Sequence, residues 1–153
     1  MRLKHAAAVG VAALGLLVAG AAPSSATSDS STTKLAGGIT IQANAWNCNF
    51  WSSACSWATS SKVNKRVTWV KNTAEVSVSS GTISVSVGSG SYNSGSSATR
   101  TRSIYWTNTN ANISDLRGQV RVKGGLFPTV TTCSYAYLYN SSNGVKGGAT
   151  ACT

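Results

Sequence analysis

The sequence predicts an all-β chain, an antiparallel β-sandwich of immunoglobulin-like architecture with about seven short strands and two disulfides. Three observations lead there. Val and Ile alternate with Ser and Thr over most of the chain, as in EVSVSSGTISVSV. No window sustains the 3.6-residue period of a helix, and ANISDLRG, the nearest candidate, is too short to be stable as one. Turn residues punctuate the alternation, and the cysteine count is even. A small closed barrel is the alternative arrangement.

The chain opens MRLKHAAAVGVAALGLLVAGAAPSSA, with Arg2, Lys4 and His5 ahead of the apolar stretch Ala6 to Ala22 and small residues at Ser24-Ser25-Ala26. This is the pattern of a secretory signal peptide over 1–26, cleaved after Ala26, with Ala21 as second choice. No later stretch reaches the roughly 18 apolar residues of a spanning helix, so a secreted, non-spanning protein is expected. TSDSSTTK lacks apolar anchors and reads as part of a flexible N-terminal extension over 27–37, followed by one domain over 38–153.

The leader carries away the only histidine and two of the 13 basic residues, leaving 11 against three acids, a net charge of +8. Such a bias favours anionic partners, among them the cell envelope or acidic proteins, and it also keeps an exported protein in solution. Nucleic acid is not an expected partner, because export removes the protein from it and the basic residues are not interleaved with stacking rings.

Four cysteines in an exported domain imply two bridges with three possible pairings, of which Cys48–Cys55 and Cys133–Cys152 are preferred. The segment TVTTCSYAYLYNSSNGVKGGATACT reads as a hairpin, with strands Thr129–Tyr139 and Val145–Cys152 about a turn at Asn140–Gly144. If Tyr139 faces Val145, Cys133 and Cys152 are one residue out of step, which a bulge at Gly147-Gly148 corrects.

The remaining strands follow in order. GITIQANA is the first. KVNKRVTWVK sets Val63, Lys65, Val67 and Trp69 on one face. Val76 and Val78, a Ser-Ser-Gly turn, and Ile83, Val85 and Val87 form a hairpin with one dry side. Gly88 to Arg100 is a long Gly/Ser loop. TRSIYWTNT carries Ile104 and Trp106, a turn falls near Asn112 to Asp115, and RGQVRVKG alternates Val120 and Val122 against Arg117, Arg121 and Lys123.

Enzymatic chemistry lacks its residues, and no catalytic residue is assigned. Without histidine the exported chain has no Ser–His–Asp or Cys–His mechanism, and oxidised cysteines are not nucleophiles. Glu75 and Asp115 are the acids outside the extension, and both read as surface or turn positions rather than a glycosidase pair. Zinc-type cysteine spacing is absent, so no metal or cofactor is expected.

Three candidate binding surfaces remain. One is a basic face of Arg100, Arg102, Arg117, Arg121 and Lys123, with Lys62 and Arg66 beside it. The second is aromatic: Tyr135, Tyr137 and Tyr139 share one side of a strand, and Trp46, Phe50, Trp51 and Trp57 crowd the stretch AWNCNFWSSACSW. That stretch reads as a stapled corner that packs Trp46 and at least one other ring inward and presents one, Trp51, to a partner. Sugar binding with Asn44, Asn47 and Asn49 is the competing use. The third is the extension with its following strand, including Thr32, Thr33, Lys34 and Leu35, which suits β-augmentation of another protein.

The cysteine-bracketed CNFWSSAC and CSYAYLYNSSNGVKGGATAC, the all-β body and the polar extension together resemble small secreted Streptomyces β-sandwich proteins, among them the adaptor subunits of umbrella toxin particles. That resemblance implies an adaptor or accessory subunit of an extracellular antibacterial complex, joining lectin and large toxin subunits, with Thr27 to Lys34 entering a partner. A carbohydrate- or envelope-binding protein and a freestanding cationic antibacterial protein are the alternatives.

Overall fold

The computed structural model describes residues 27–47, 55–88 and 100–153. They form a seven-stranded antiparallel sheet: β1 (Thr27–Leu35), β2 (Ile39–Asn47), β3 (Cys55–Val78), β4 (Thr82–Val87), β5 (Thr101–Lys123), β6 (Val130–Asn140) and β7 (Val145–Cys152). Among the described residues no helix is long and apolar enough to cross a membrane.

Two of these strands are long. β3 has 24 residues and β5 has 23, and they pair with each other along almost their whole length. The other edge of β3 is shared: β2 pairs with residues 57–63 and β6 with residues 69–78. The order is therefore β1-β2-β3-β5-β4 over one half of β3, and β7-β6-β3-β5 over the other. The halves meet at a bulge, where Lys62 faces Ile113 but Val67 already faces Ala111. Asn110, next to Ala111 at the edge of the bulge, takes a φ of 47° where β5 bends. The side chains of Trp106, Asn108 and Ser114 brace that bend through hydrogen bonds of 2.7–3.0 Å.

Bending lays β1 and β2 over β6 and β7, with Cα atoms of β2 within 8 Å of both. That is closer than the ~10 Å usual for stacked sheets. The residues between explain it: Ala43 and Ala45 of β2 meet Ala136, Ala149 and Ala151, with Ile39, Ile41, Val70 and Leu138 filling the remainder. A second apolar cluster gathers Trp57, Ala74, Val76, Val78, Ile83, Val85, Leu116 and Val120. Buried polar residues also occupy the interior. Asn72, fully buried, donates to Thr59 Oγ1 at 2.9 Å and accepts from Ser134 Oγ at 3.1 Å. It thus links residues 59 and 72 of the same strand across the fold. Asn72→Ala should cost about 2–3 kcal/mol by urea unfolding, since it strands buried hydroxyls as well as leaving a void.

Several sequence expectations are corrected. Thr27–Leu35 is not a flexible extension but an edge strand paired to β2 over nine positions. Polar side chains disguised it, yet backbone pairing needs no apolar residue. It is anchored by Asp29 Oδ2, which accepts from the Cys152 amide at 3.1 Å, and by Leu35 packed on the apolar cluster. The two strands about Ser79-Ser80-Gly81 are not a hairpin: β4 pairs with β5, so the turn crosses between halves and the two apolar rows face each other across the core. The β6–β7 hairpin has no bulge, because Asn140 rather than Tyr139 faces Val145 and the same register brings Cys133 opposite Cys152. Their disulfide is present. Cys55 is also disulfide-bonded, while its expected partner Cys48 lies outside the described residues, as do residues 89–99 of the expected loop. Asn112 to Asp115 are strand rather than turn, inside β5.

Candidate binding face

Each half of the folded sheet turns one face outward, and the bulge decides what each displays. Before it, the buried residues of β3 are odd-numbered apart from Ser60, as at Trp57, Thr59, Ser61 and Val63. After it they are even-numbered, as at Val70, Asn72, Ala74 and Val76. Trp69 therefore does not share a face with Val63 and Val67; it points outward with Lys71, Thr73 and Glu75. On β6, Ser134, Ala136 and Leu138 take the core, which sends Tyr135, Tyr137 and Tyr139 to the same outer face.

Register assembles these residues into rows. Tyr139, Trp69 and Thr109 are neighbours across β6, β3 and β5; the next rows are Tyr137, Lys71, Thr107 and then Tyr135, Thr73, Tyr105. The Trp69 ring lies 5.9 Å from that of Tyr137 and 6.1 Å from that of Tyr139, tilted by 30° and 41°. Lys71 Nζ sits 4.4 Å from the centre of the Tyr105 ring, within cation–π range. Tyr105 is 66% exposed, Tyr137 42% and Tyr135 39%. On β7 the neighbour of Tyr137 is Gly148, where a Cβ would stand 3.1 Å from Tyr137 Cδ2 and strike the Ala136 carbonyl oxygen. A side chain at 148 would displace the central tyrosine. Five aromatic rings thus share one uncovered face among the described residues, held by three strands.

The other outer face carries much of the expected basic stripe. Arg117, Arg121 and Lys123 are exposed on β5, and Lys62 is exposed on β3. Trp46, Ala58 and Arg117 form one row, while Thr32, Gln42 and Lys62 form another, with Lys34 at the β1 edge. Three groups predicted separately therefore meet here. Arg66 is exposed within the bulge. Arg100 and Arg102 do not belong to the stripe. Arg102 pairs with Val76 in the other half, and its Nε is buried without a hydrogen-bond partner among the described residues. Thr33 and Leu35 turn toward the interior side of β1 and are half-buried.

The aromatic stretch AWNCNFWSSACSW splits. Trp46, expected to pack inward, is 38% exposed because it shares parity with the outward residues of β2, whereas Trp57 is a core residue at 2% and presents nothing to a partner. Phe50, Trp51 and Asn49 lie outside the described residues. Of the asparagines considered for sugar, Asn44 and Asn47 are buried, and Asn47 Nδ2 is spent on the Val130 carbonyl at 2.6 Å. The acids are dispersed: Glu75 faces Ser103 and Cys133, and Asp115 faces Ser60. Among the described residues no three His, Cys, Asp or Glu side chains are grouped as metal ligands would be.

Trp69, Lys71 and Tyr105 were missed as site residues. The signal was present in the spacing Val63, Val67, Val70, which is not alternation and marks a change of parity between them. No family model and no curated protein matches the chain.

Proposed function

We propose that the protein is an exported, non-catalytic interaction module that works by docking another extracellular protein on the aromatic face of Trp69, Tyr105, Tyr135, Tyr137 and Tyr139. The observation that carries this is that those rings stand together on one outer face of paired strands, Tyr105, Tyr135 and Tyr137 exposed and Trp69 and Tyr139 half-buried. Tyr and Trp are enriched at protein interfaces because each supplies a large, stiff contact area with a polar tip. The tilt between Trp69 and its tyrosine neighbours favours a contoured protein surface over a flat polysaccharide, which stacks best on coplanar rings. In its most specific form the module is the adaptor or accessory subunit of a secreted antibacterial toxin complex, an immunoglobulin-like sandwich with Cys48–Cys55 as its second bridge. The basic face offers a second contact, to the anionic envelope. Entry of β1 into a partner would require it first to leave β2.

In the native culture medium the protein should run in a particle far larger than one chain. Trp69→Ala or Tyr137→Ala should each weaken its incorporation at least about 30-fold, the scale of an interface hot spot, with a loss of stability of no more than about 1–2 kcal/mol. A protein that runs only as a monomer would end the adaptor proposal. Binding to a glycan array that is lost in the same variants would move the face to the carbohydrate alternative.

A further inference from the structure

We propose that a second site, independent of the aromatic face, lies at the end of the sheet in the β5–β6 connection: Leu126 and Phe127 form an apolar wedge that docks the protein on an anionic lipid membrane. These two side chains are 85% and 88% exposed, the most exposed large apolar residues among those described. They are consecutive, precede Pro128, and lie at the far end of β3 from Trp69, nine residues beyond it at Val78, or about 30 Å at strand rise.

The loop that carries them is braced. Ser80 Oγ donates to the Leu126 carbonyl at 3.0 Å, the Thr129 amide donates to Ser79 Oγ at 2.9 Å, and the Ser79 amide donates to the Thr129 carbonyl at 3.0 Å. Gly125, at φ 87°, lets the loop lie against the Ser79–Gly81 turn; a Cβ there would come within 2.7 Å of the Ser80 backbone. Phe127 itself holds a φ of 50°, a left-handed conformation that is costly for a ring-bearing residue. Burial of the ring does not compensate it, since the ring stands in solvent. A fold that spends hydrogen bonds to hold two apolar side chains outward is presenting them.

Charge selects the occupant. Arg121 and Lys123 are exposed on the strand that enters the loop, and Arg100, exposed, accepts from the Val78 amide through its carbonyl on the other side. Of the acids, Glu75 stands three residues back from Val78, Asp29 is held by the Cys152 amide, and Asp115 sits opposite Ser60. An apolar tip inside a basic collar matches the boundary between acyl chains and anionic headgroups, with rings and aliphatic groups below and cations among the phosphates. A protein pocket that took the two side chains would have no need of the collar.

The test uses the protein with vesicles of phosphatidylglycerol and phosphatidylcholine or of phosphatidylcholine alone. Wild type should sediment with the anionic vesicles only. The double variant Leu126→Ser, Phe127→Ser should bind them at least about tenfold less, with an unchanged melting temperature, because two large apolar burials are lost. Lys123→Gln and Arg121→Gln should each lower binding about fivefold. Phe127→Trp should gain blue-shifted emission that brominated acyl chains quench, which electrostatic adsorption alone would not give. Absence of binding to anionic vesicles, or binding that survives loss of both apolar side chains, would overturn the proposal. So would an unquenched tryptophan at 127. Loss of particle incorporation in the Trp69→Ala variant with vesicle binding intact keeps the two sites separate, as proposed.

Discussion

Trp57→Ala should lower the free energy of unfolding by about 3–5 kcal/mol, the range for truncating a fully buried large ring. Trp57 is 2% exposed and packs among Ala74, Val76, Leu116 and Val120, residues from both halves of the folded sheet. Its removal therefore opens a void where the two layers meet, not at one strand. Trp46→Ala, only eleven positions earlier in sequence, should change stability by no more than about 1 kcal/mol, because that ring stands on the outer face. Trp57→Phe tests the chemistry further. The indole nitrogen has no hydrogen-bond partner among the described residues, so the phenyl ring forfeits volume but no hydrogen bond, and a cost of roughly 1–2 kcal/mol is expected. Urea unfolding followed by circular dichroism separates the three variants. Equal costs at positions 46 and 57 would contradict the assigned faces.

The second large effect concerns the bridge between Cys133 and Cys152. The two residues are directly opposed across β6 and β7, with Cα atoms 4.1 Å apart and 19 residues of sequence separation. Closing a loop of that length removes denatured-state entropy worth about 3 kcal/mol in the chain-entropy model. For a domain of this size the double substitution Cys133→Ala, Cys152→Ala should lower the melting temperature by roughly 10 °C. More than the hairpin is involved: the Cys152 amide donates to Asp29 of β1, so fraying of β7 releases the edge strand laid across it. Hydrogen exchange should accordingly show faster exchange in Thr27–Leu35 of the double variant, although neither substituted residue belongs to β1. Unchanged protection of β1 would show that Asp29 does not couple the two edges.

Alternation identified the inward residues of β4 and of the last part of β5, and it separated the two sides of β2 and β6 without saying which faces the core. It failed at two kinds of place. Where β3 bulges between Lys62 and Val67, parity changes within a continuous strand, and the change reads as a strand boundary; β5 keeps even-numbered residues inward at both its ends, but Asn112 to Asp115 reads as a turn, so Trp69 and Tyr105 are not brought together. Where a strand sits at an edge and is polar on both sides, as β1 is, no hydrophobic signal exists, because its stability comes from backbone pairing and one side-chain anchor at each end. Partner choice among strands was also hidden. Val76 and Ile83 look like a hairpin and a two-layer crossing equally well, for both leave the same residues dry. At the site, the β6 tyrosines and the Arg117, Arg121 and Lys123 series were legible from period two alone. Their neighbours were not, since rows across strands depend on a register that only the fold determines.

The central claim is that the aromatic face is the surface through which the protein meets its partner. Hydroxyl-radical footprinting tests it most directly, comparing the free protein with the protein in the native particle from the culture medium. Oxidation of Trp69, Tyr105, Tyr135 and Tyr137 should fall severalfold on assembly, while Trp46, on the opposite outer face, stays as reactive as in the free chain. Unaltered oxidation of those four residues, with protection found instead at Trp46 and along the Arg117 row, would place the interface on the basic face and contradict the account.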